Sequence, residues 1–109
     1  MRPDPASVPE AGARVASYYD ANTRRFLVVG GSGAALAMHR PLWGEDVTTT
    51  EAAAAHVNDL VAACAERHLG RAPTQVRDLG CGVGGTLFHL AARWPDTMLA
   101  GITISEVQR

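Results

Sequence analysis

The residues best suited to chemistry lie in one run, Val76-Arg77-Asp78-Leu79-Gly80-Cys81-Gly82-Val83-Gly84-Gly85. Gly80 and Gly82 let a backbone turn sharply out of a strand and let a ligand approach where a Cβ would block it. Gly84 or Gly85 would allow close packing of a following helix on the strand. A helix starting there aims unpaired N–H groups at whatever sits above the strand end. Asp78 puts a carboxylate beside the same spot, and open α/β sheets bind ligands at the carboxyl ends of their strands. The carboxylate also separates ligand classes: it would repel a pyrophosphate and hold a cationic or zwitterionic ligand. Gly80-x-Gly82-x-x-Gly85 satisfies the dinucleotide fingerprint as well, with Glu106 near the spacing of an acidic ribose partner but past the expected strand end. Nicotinamide or flavin binding therefore stands as an alternative.

Other reactive residue types read more simply. Cys81 has no histidine placed beside it by sequence and suits a small packed thiol, and Cys64 suits a helix core. His56 and His68 are twelve apart on a helix and do not form a metal pair. His89 falls on the surface of a crossover helix. His39 is a candidate contact to cofactor or substrate. Tyr18 and Tyr19 suit a core, although either ring could face a cation. Trp43 suits a lid or a core, and the arginines a solvated surface. Val28-Val29-Gly30-Gly31-Ser32-Gly33 reads as a flexible connector rather than a flavin loop. No catalytic base and no metal ligand set is assigned.

The elements that must position these residues follow from periodicity. Residues 1–11 read as a flexible arm with three prolines. Residues 12–47 read as a helical cap or lid. Val15, Tyr18, Tyr19, Phe26 and Leu27 share much of one helical face, and Asn22 and Thr23 could interrupt the helix or cap a second one. Ala34 to His39 could form a helical turn that Arg40-Pro41 ends. Thr48-Thr49-Thr50-Glu51 fits a capping box. It opens a helix over 49–69 whose face carries Ala53, Val57, Leu60, Val61, Cys64 and His68. Gly70 suits its left-handed stop, with Pro73 beyond. Gln75 to Leu79 reads as a strand and Gly80 to Gly85 as a turn. Thr86 to Trp94 reads as a helix with Leu87, Phe88, Leu90 and Ala91 on or near the packed side. Thr97 to Ile104 reads as a buried parallel strand. The fold class is α/β, with a right-handed crossover expected.

The chain has 109 residues and a formal net charge of −1, which leaves no electrostatic footprint for nucleic acid or an anionic membrane. Hydrophobic residues make up 47%, enough for a globular domain, and no apolar run is long enough to span a bilayer. The two cysteines do not make a disulfide framework, and the first twenty residues lack the apolar core of a secretory signal. Together these point to the cytoplasm. All ten basic residues are arginine, which with the abundant alanine and glycine reads as coding bias.

Asp78-Leu79-Gly80-Cys81-Gly82-Val83-Gly84 resembles the nucleotide-binding motif of class I S-adenosylmethionine (SAM)-dependent methyltransferases. Gly101-Ile102-Thr103-Ile104-Ser105-Glu106-Val107-Gln108 resembles the second-strand signature of their small-molecule group, which includes tocopherol-type methyltransferases and cyclopropane fatty acid synthases. The resemblance implies a Rossmann-like sheet behind an N-terminal helical cap, with SAM as cofactor and a small-molecule methyl acceptor. It implies cofactor contacts at Asp78, Leu79, Gly80, Gly82, Gly84, Thr103, Ile104 and Gln108. Thr103 and Gln108 take the roles near the ribose that an acidic residue fills in many class I enzymes. Tyr18-Tyr19-Asp20 and the segment through Trp43 resemble the group's cap, where Met38-His39 replaces covering residues of Tyr-Ser type. The resembling core has seven strands and residues 48–109 supply the first two, so the sequence reads as an N-terminal portion. A short interaction module that completes a partner's sheet is the non-enzymatic alternative.

Overall fold

The computed structural model describes residues 8–29, 36 and 39–109. Its elements run in the order α1 (Val8–Val29), α2 (Thr50–Leu69), β1 (Gln75–Leu79), α3 (Gly85–Arg93) and β2 (Met98–Ile102). The architecture is α/β: the described residues form three helices and a parallel pair of strands. The connector at 30–33 lies outside the described residues, as do Ala37 and Met38.

Helix α1 starts earlier than expected and has no break. Val8 to Ala11, assigned above to the arm, are helical, because a proline such as Pro9 is tolerated in a first turn whose N–H groups have no helical partner. Asn22 and Thr23 do not interrupt the helix. Each donates back to a carbonyl one turn earlier, Asn22 Nδ2 to Tyr18 O at 2.8 Å and Thr23 Oγ1 to Tyr19 O at 2.6 Å. Tyr18 packs edge-on to Tyr19 and tilted against Phe26.

Helix α2 is capped by Thr49, one residue later than the capping-box spacing implies. Its hydroxyl accepts from the Ala52 N–H at 3.1 Å, so Glu51 falls one position too early to reach back as the box requires. Gly70 ends the helix at φ 69°, with its N–H on the Glu66 carbonyl. The buried face also differs from the expected one. It carries Ala53, Ala54, Asn58 and Ala62, while Leu60, Val61 and Cys64 are exposed. The reason is reach. The alanines let α2 approach closely, and the larger Leu90 and Trp94 fill the space from the α3 side, joined by Val76 and Leu99 of the strands.

A row of polar contacts fixes the lie of α2 on α3. Thr86 Oγ1 donates to Asn58 Oδ1 at 2.8 Å, and His89 Nε2 lies 2.8 Å from Asp59 Oδ1. Arg93 holds Glu66 with two hydrogen bonds at 2.8 and 2.9 Å, and Trp94 Nε1 donates to the same carboxylate at 2.7 Å. Partner numbers rise together along both helices, so α2 and α3 run in the same direction. Arg93 is thus a clamp rather than only a solvated charge, and His89 is tied down rather than loose on the surface.

The strands pair in register from Gln75↔Met98 to Leu79↔Ile102. Strand β2 is not buried, contrary to its apolar sequence. Met98 and Ile102 are 67% and 63% exposed, and Leu79 of β1 is 79% exposed, because helices pack only on the opposite face. Phe88 and Ala91 of α3 are exposed too, and only Leu90 of the expected packing set is buried. Gly101 is a point of close approach between chain segments. A Cβ there would lie 2.6 Å from Leu87 Cδ1 and 2.7 Å from Cys81 Sγ, so Gly101 also permits close packing, and Gly85 is buried at the start of α3.

Candidate functional site

Leu79 passes the chain from β1 into a turn anchored on the neighbouring strand. The N–H groups of Gly80 and Cys81 both donate to the Ile102 carbonyl, at 2.7 and 3.0 Å. Gly80 and Gly82 sit at φ 86° and 57°, a region that side chains with a Cβ rarely enter. Gly84 then starts α3 without any side-chain cap, leaving the first turn of that helix without a local acceptor.

Above the strand ends lies a half-open cavity of about 530 Å³. That size falls within the range of small-molecule sites. Asp78, Leu79, Gly80, Gly82, Thr103, Ile104 and Gln108 all line it. Gly84 does not. It faces an adjacent hollow with Phe88, Ala91 and Leu99, and Gly85 and Thr86 take its place in the main cavity. Tyr19, Leu36 and His39 also line it, arriving from α1 and the segment before α2. Trp43 is exposed in that segment and does not line the cavity.

Thr103 and Gln108 are brought together, but their polar atoms serve the fold as well as the cavity. Thr103 Oγ1 donates to Gln108 Oε1 at 2.8 Å and accepts from the Ser105 N–H at 3.2 Å. Gln108 Nε2 donates to Thr23 Oγ1 at 3.0 Å. Ser105 Oγ donates to Asp20 Oδ1 at 2.5 Å, and the Val107 N–H donates to the same oxygen at 3.2 Å. These contacts tie α1 to the turn after β2 and hold Tyr19 at the cavity rim. The Ser105 hydroxyl and then the Val107 N–H hold the Asp20 carboxyl below its usual range.

Sequence reasoning did not single out Asp20, Thr23 or Ser105 as a connection. The one sequence hint was that Asp20 and Thr23 are polar positions one turn apart on an otherwise amphipathic helix. His39, by contrast, was a candidate and does line the cavity. Cys81 lines it as well, with Sγ 3.6 Å from its neighbour's carbonyl at Gly82. No cluster of metal-ligating side chains occurs among the described residues.

No protein-family model matches the chain, and no curated protein and no solved structure matches it either. No helix among the described residues is long and apolar enough to cross a membrane.

Proposed function

We propose that this chain forms the SAM-binding part of a small-molecule methyltransferase, with β1, α3 and β2 as the opening unit of a Rossmann-like sheet. The observation that carries the proposal is the convergence of Asp78, the Gly80–Gly82 turn, Thr103 and Gln108 on one cavity at the carboxyl ends of two parallel strands.

The donor and acceptor set suits this cofactor. Asp78 offers only acceptors, which complement ammonium or ribose hydroxyl protons and oppose a pyrophosphate. Thr103 Oγ1 has one donor and one acceptor position engaged, leaving it able to accept one more hydrogen bond. Gly80 and Gly82 bring backbone without a Cβ to the cavity lining, with Cys81 between them as the one side chain of that turn, which leaves room for a flat nucleoside. Bound SAM supplies an activated methyl group on a sulfonium. The chain's own task is alignment and exclusion of water, to which Tyr19, Leu36 and His39 contribute as further lining residues. The acceptor is a small molecule, and the compartment that fits the sequence is the cytoplasm.

Calorimetric titration with S-adenosylhomocysteine and NADH side by side tests the proposal. Saturable binding of the former alone is expected, and binding of NADH alone would replace the methyltransferase reading with a nicotinamide one.

One observation favours a second reading, an interaction module. The face of β1 and β2 away from the helices carries exposed Leu79, Met98 and Ile102, and each strand has an outer edge unpaired among the described residues. Strand addition from a partner would pair an edge, and a partner element laid on the face would cover those side chains. Light scattering of the purified chain distinguishes the readings: a stable oligomer without nucleoside affinity favours the module.

A further inference from the structure

A chain of hydrogen bonds runs from α1 to the cavity and can share its protons in only one way. Thr23 Oγ1 lies 2.6 Å from the Tyr19 carbonyl oxygen, which can only accept, so the single hydroxyl proton of Thr23 is committed to its own helix. Toward Gln108 the Thr23 oxygen therefore accepts, and the Gln108 atom 3.0 Å away is the amide nitrogen. That orientation leaves Gln108 Oε1 2.8 Å from the Thr103 hydroxyl, and an amide oxygen also only accepts. Thr103 thus gives its proton to Gln108 and receives the Ser105 N–H at 3.2 Å. What Thr103 Oγ1 has left is one acceptor position, on a half-buried side chain that lines the cavity. Thr23, which sets this polarity, is 2% exposed and does not itself line the cavity.

We propose that Thr23 is a positioning residue: acting through Gln108, it keeps Thr103 an acceptor and so makes the cavity select a ligand that presents a hydroxyl proton there over one that lacks it. This rests on the methyltransferase reading above, in which the sugar of the nucleoside carries that hydroxyl. Asp78, on the same lining, is an acceptor too, so both groups favour a ligand rich in donors. The backbone of the turn does not depend on Thr23. Ser105 Oγ donates to Asp20 and accepts from the Gln108 N–H at 3.3 Å, and the Val107 N–H also reaches Asp20. Loss of the Thr23 hydroxyl therefore acts on the Gln108 amide. Without its acceptor, the amide is free to turn over and offer Nε2 to Thr103. The Thr103 proton is then released from Gln108, and the preference for a ligand donor goes with it.

The test uses the full chain, Thr23→Val, which keeps the branched shape without the hydroxyl, and Thr23→Ser, which restores the hydroxyl. Each is titrated calorimetrically with S-adenosylhomocysteine and with its 2′-deoxy and 3′-deoxy forms. In the parent, one deoxy form should bind about fivefold more weakly than S-adenosylhomocysteine, the factor that a neutral hydrogen bond contributes. Thr23→Val should erase most of that ratio, and Thr23→Ser should retain it. A merely structural role would weaken all three ligands alike and leave the ratio unchanged, so an unchanged ratio in Thr23→Val overturns the proposal. A parent with no deoxy penalty overturns it as well. Proton NMR of the ligand-free parent provides a check that needs no variant to fold. The Gln108 side-chain amide protons should show stronger cross-peaks to the Thr23 methyl than to the Thr103 methyl, and the reverse would place the amide the other way round and sink the argument. If S-adenosylhomocysteine does not bind the parent, the cofactor reading fails and takes this proposal with it. If it binds and the ratio ignores Thr23, only the positioning role is lost.

Discussion

Ser105 Oγ and the Asp20 carboxylate, 85 residues apart in sequence, meet at 2.5 Å and join the first helix to the turn that follows the last strand. Through this contact and the Gln108–Thr23 bond, the rim residue Tyr19 is positioned by the same turn that carries Thr103. Asp20→Asn should loosen that junction, because the amide is a weaker acceptor for the Ser105 hydroxyl and the Val107 N–H than a carboxylate. Hydrogen exchange across α1 should speed up while α2 and β1 stay protected, since the lost contacts are confined to α1 and the turn. Unchanged α1 protection would show that the junction does not hold the helix.

Asp78→Ala removes the acceptor-only group at the cavity floor without touching the core. Hydrogen bonds to charged groups contribute about 1.5–3 kcal/mol, so affinity for S-adenosylhomocysteine should fall by at least about tenfold. Circular dichroism of the variant should overlay that of the parent. Retained affinity would detach Asp78 from the site.

Gly101→Ala tests close packing rather than conformational freedom. The added methyl would meet Leu87 and Cys81 well inside contact distance, and overpacking of this kind costs about 1–3 kcal/mol. Denaturant unfolding should show that loss. Cys81→Ala placed in the same chain should recover part of it by vacating the space where Sγ lies, and no recovery would locate the strain elsewhere.

Trp94→Ala should be among the most damaging single changes, about 3–5 kcal/mol for a large aromatic truncated in a core. Trp94 packs with Ala62 and Leu90, and its indole N–H satisfies Glu66. Trp94→Phe keeps much of the ring volume and loses the hydrogen bond, so it should fall between the parent and Trp94→Ala in the same unfolding measurement.

Acid should weaken the α2–α3 clamp. Hydrogen bonds from Arg93 and then from Trp94 hold the Glu66 carboxyl at about 2, below its ordinary 4.5. A group depressed in the folded state stabilises it above its unfolded value, and that stabilisation disappears as pH falls from about 4.5 toward about 2. The clamp is about a third exposed, so solvent reduces its contribution. Melting temperature should therefore decline across that interval, and the decline should be shallower in Glu66→Gln, whose neutral side chain has already lost the ion pair. Parallel acid limbs for parent and variant would remove Glu66 from the acid response.

Local signals in the sequence were enough to find several parts of this molecule. Gln75 to Leu79 is a strand between a helix stop at Gly70 and a glycine turn, because those breakers act through their own backbone conformations. Seven of the eight expected cofactor contacts share a cavity: Asp78, Leu79, Gly80 and Gly82 follow one another out of β1, and the parallel pairing of β2 with β1 brings Thr103, Ile104 and Gln108 beside them. Gly84 falls outside because it serves as the first cap of α3.

Periodicity misled where the partner's size mattered more than the residue's own hydrophobicity. Leu60, Val61 and Cys64 looked like the packed face of α2, yet alanines and Asn58 occupy it, since the large side chains come from α3. The apolar run of β2 likewise indicates a strand but not which of its faces is covered.

The sequence by itself determined the order and type of the elements, the glycine turn and the carboxylate at its mouth, because each depends on residues near one another in the chain. Only the tertiary structure decided that Asp20 and Thr23 hold the turn carrying Thr103 and Gln108, and that Gly101 must lack a side chain. Those are relations between distant segments, and their physical basis is distance and hydrogen-bond satisfaction, neither of which a linear pattern encodes.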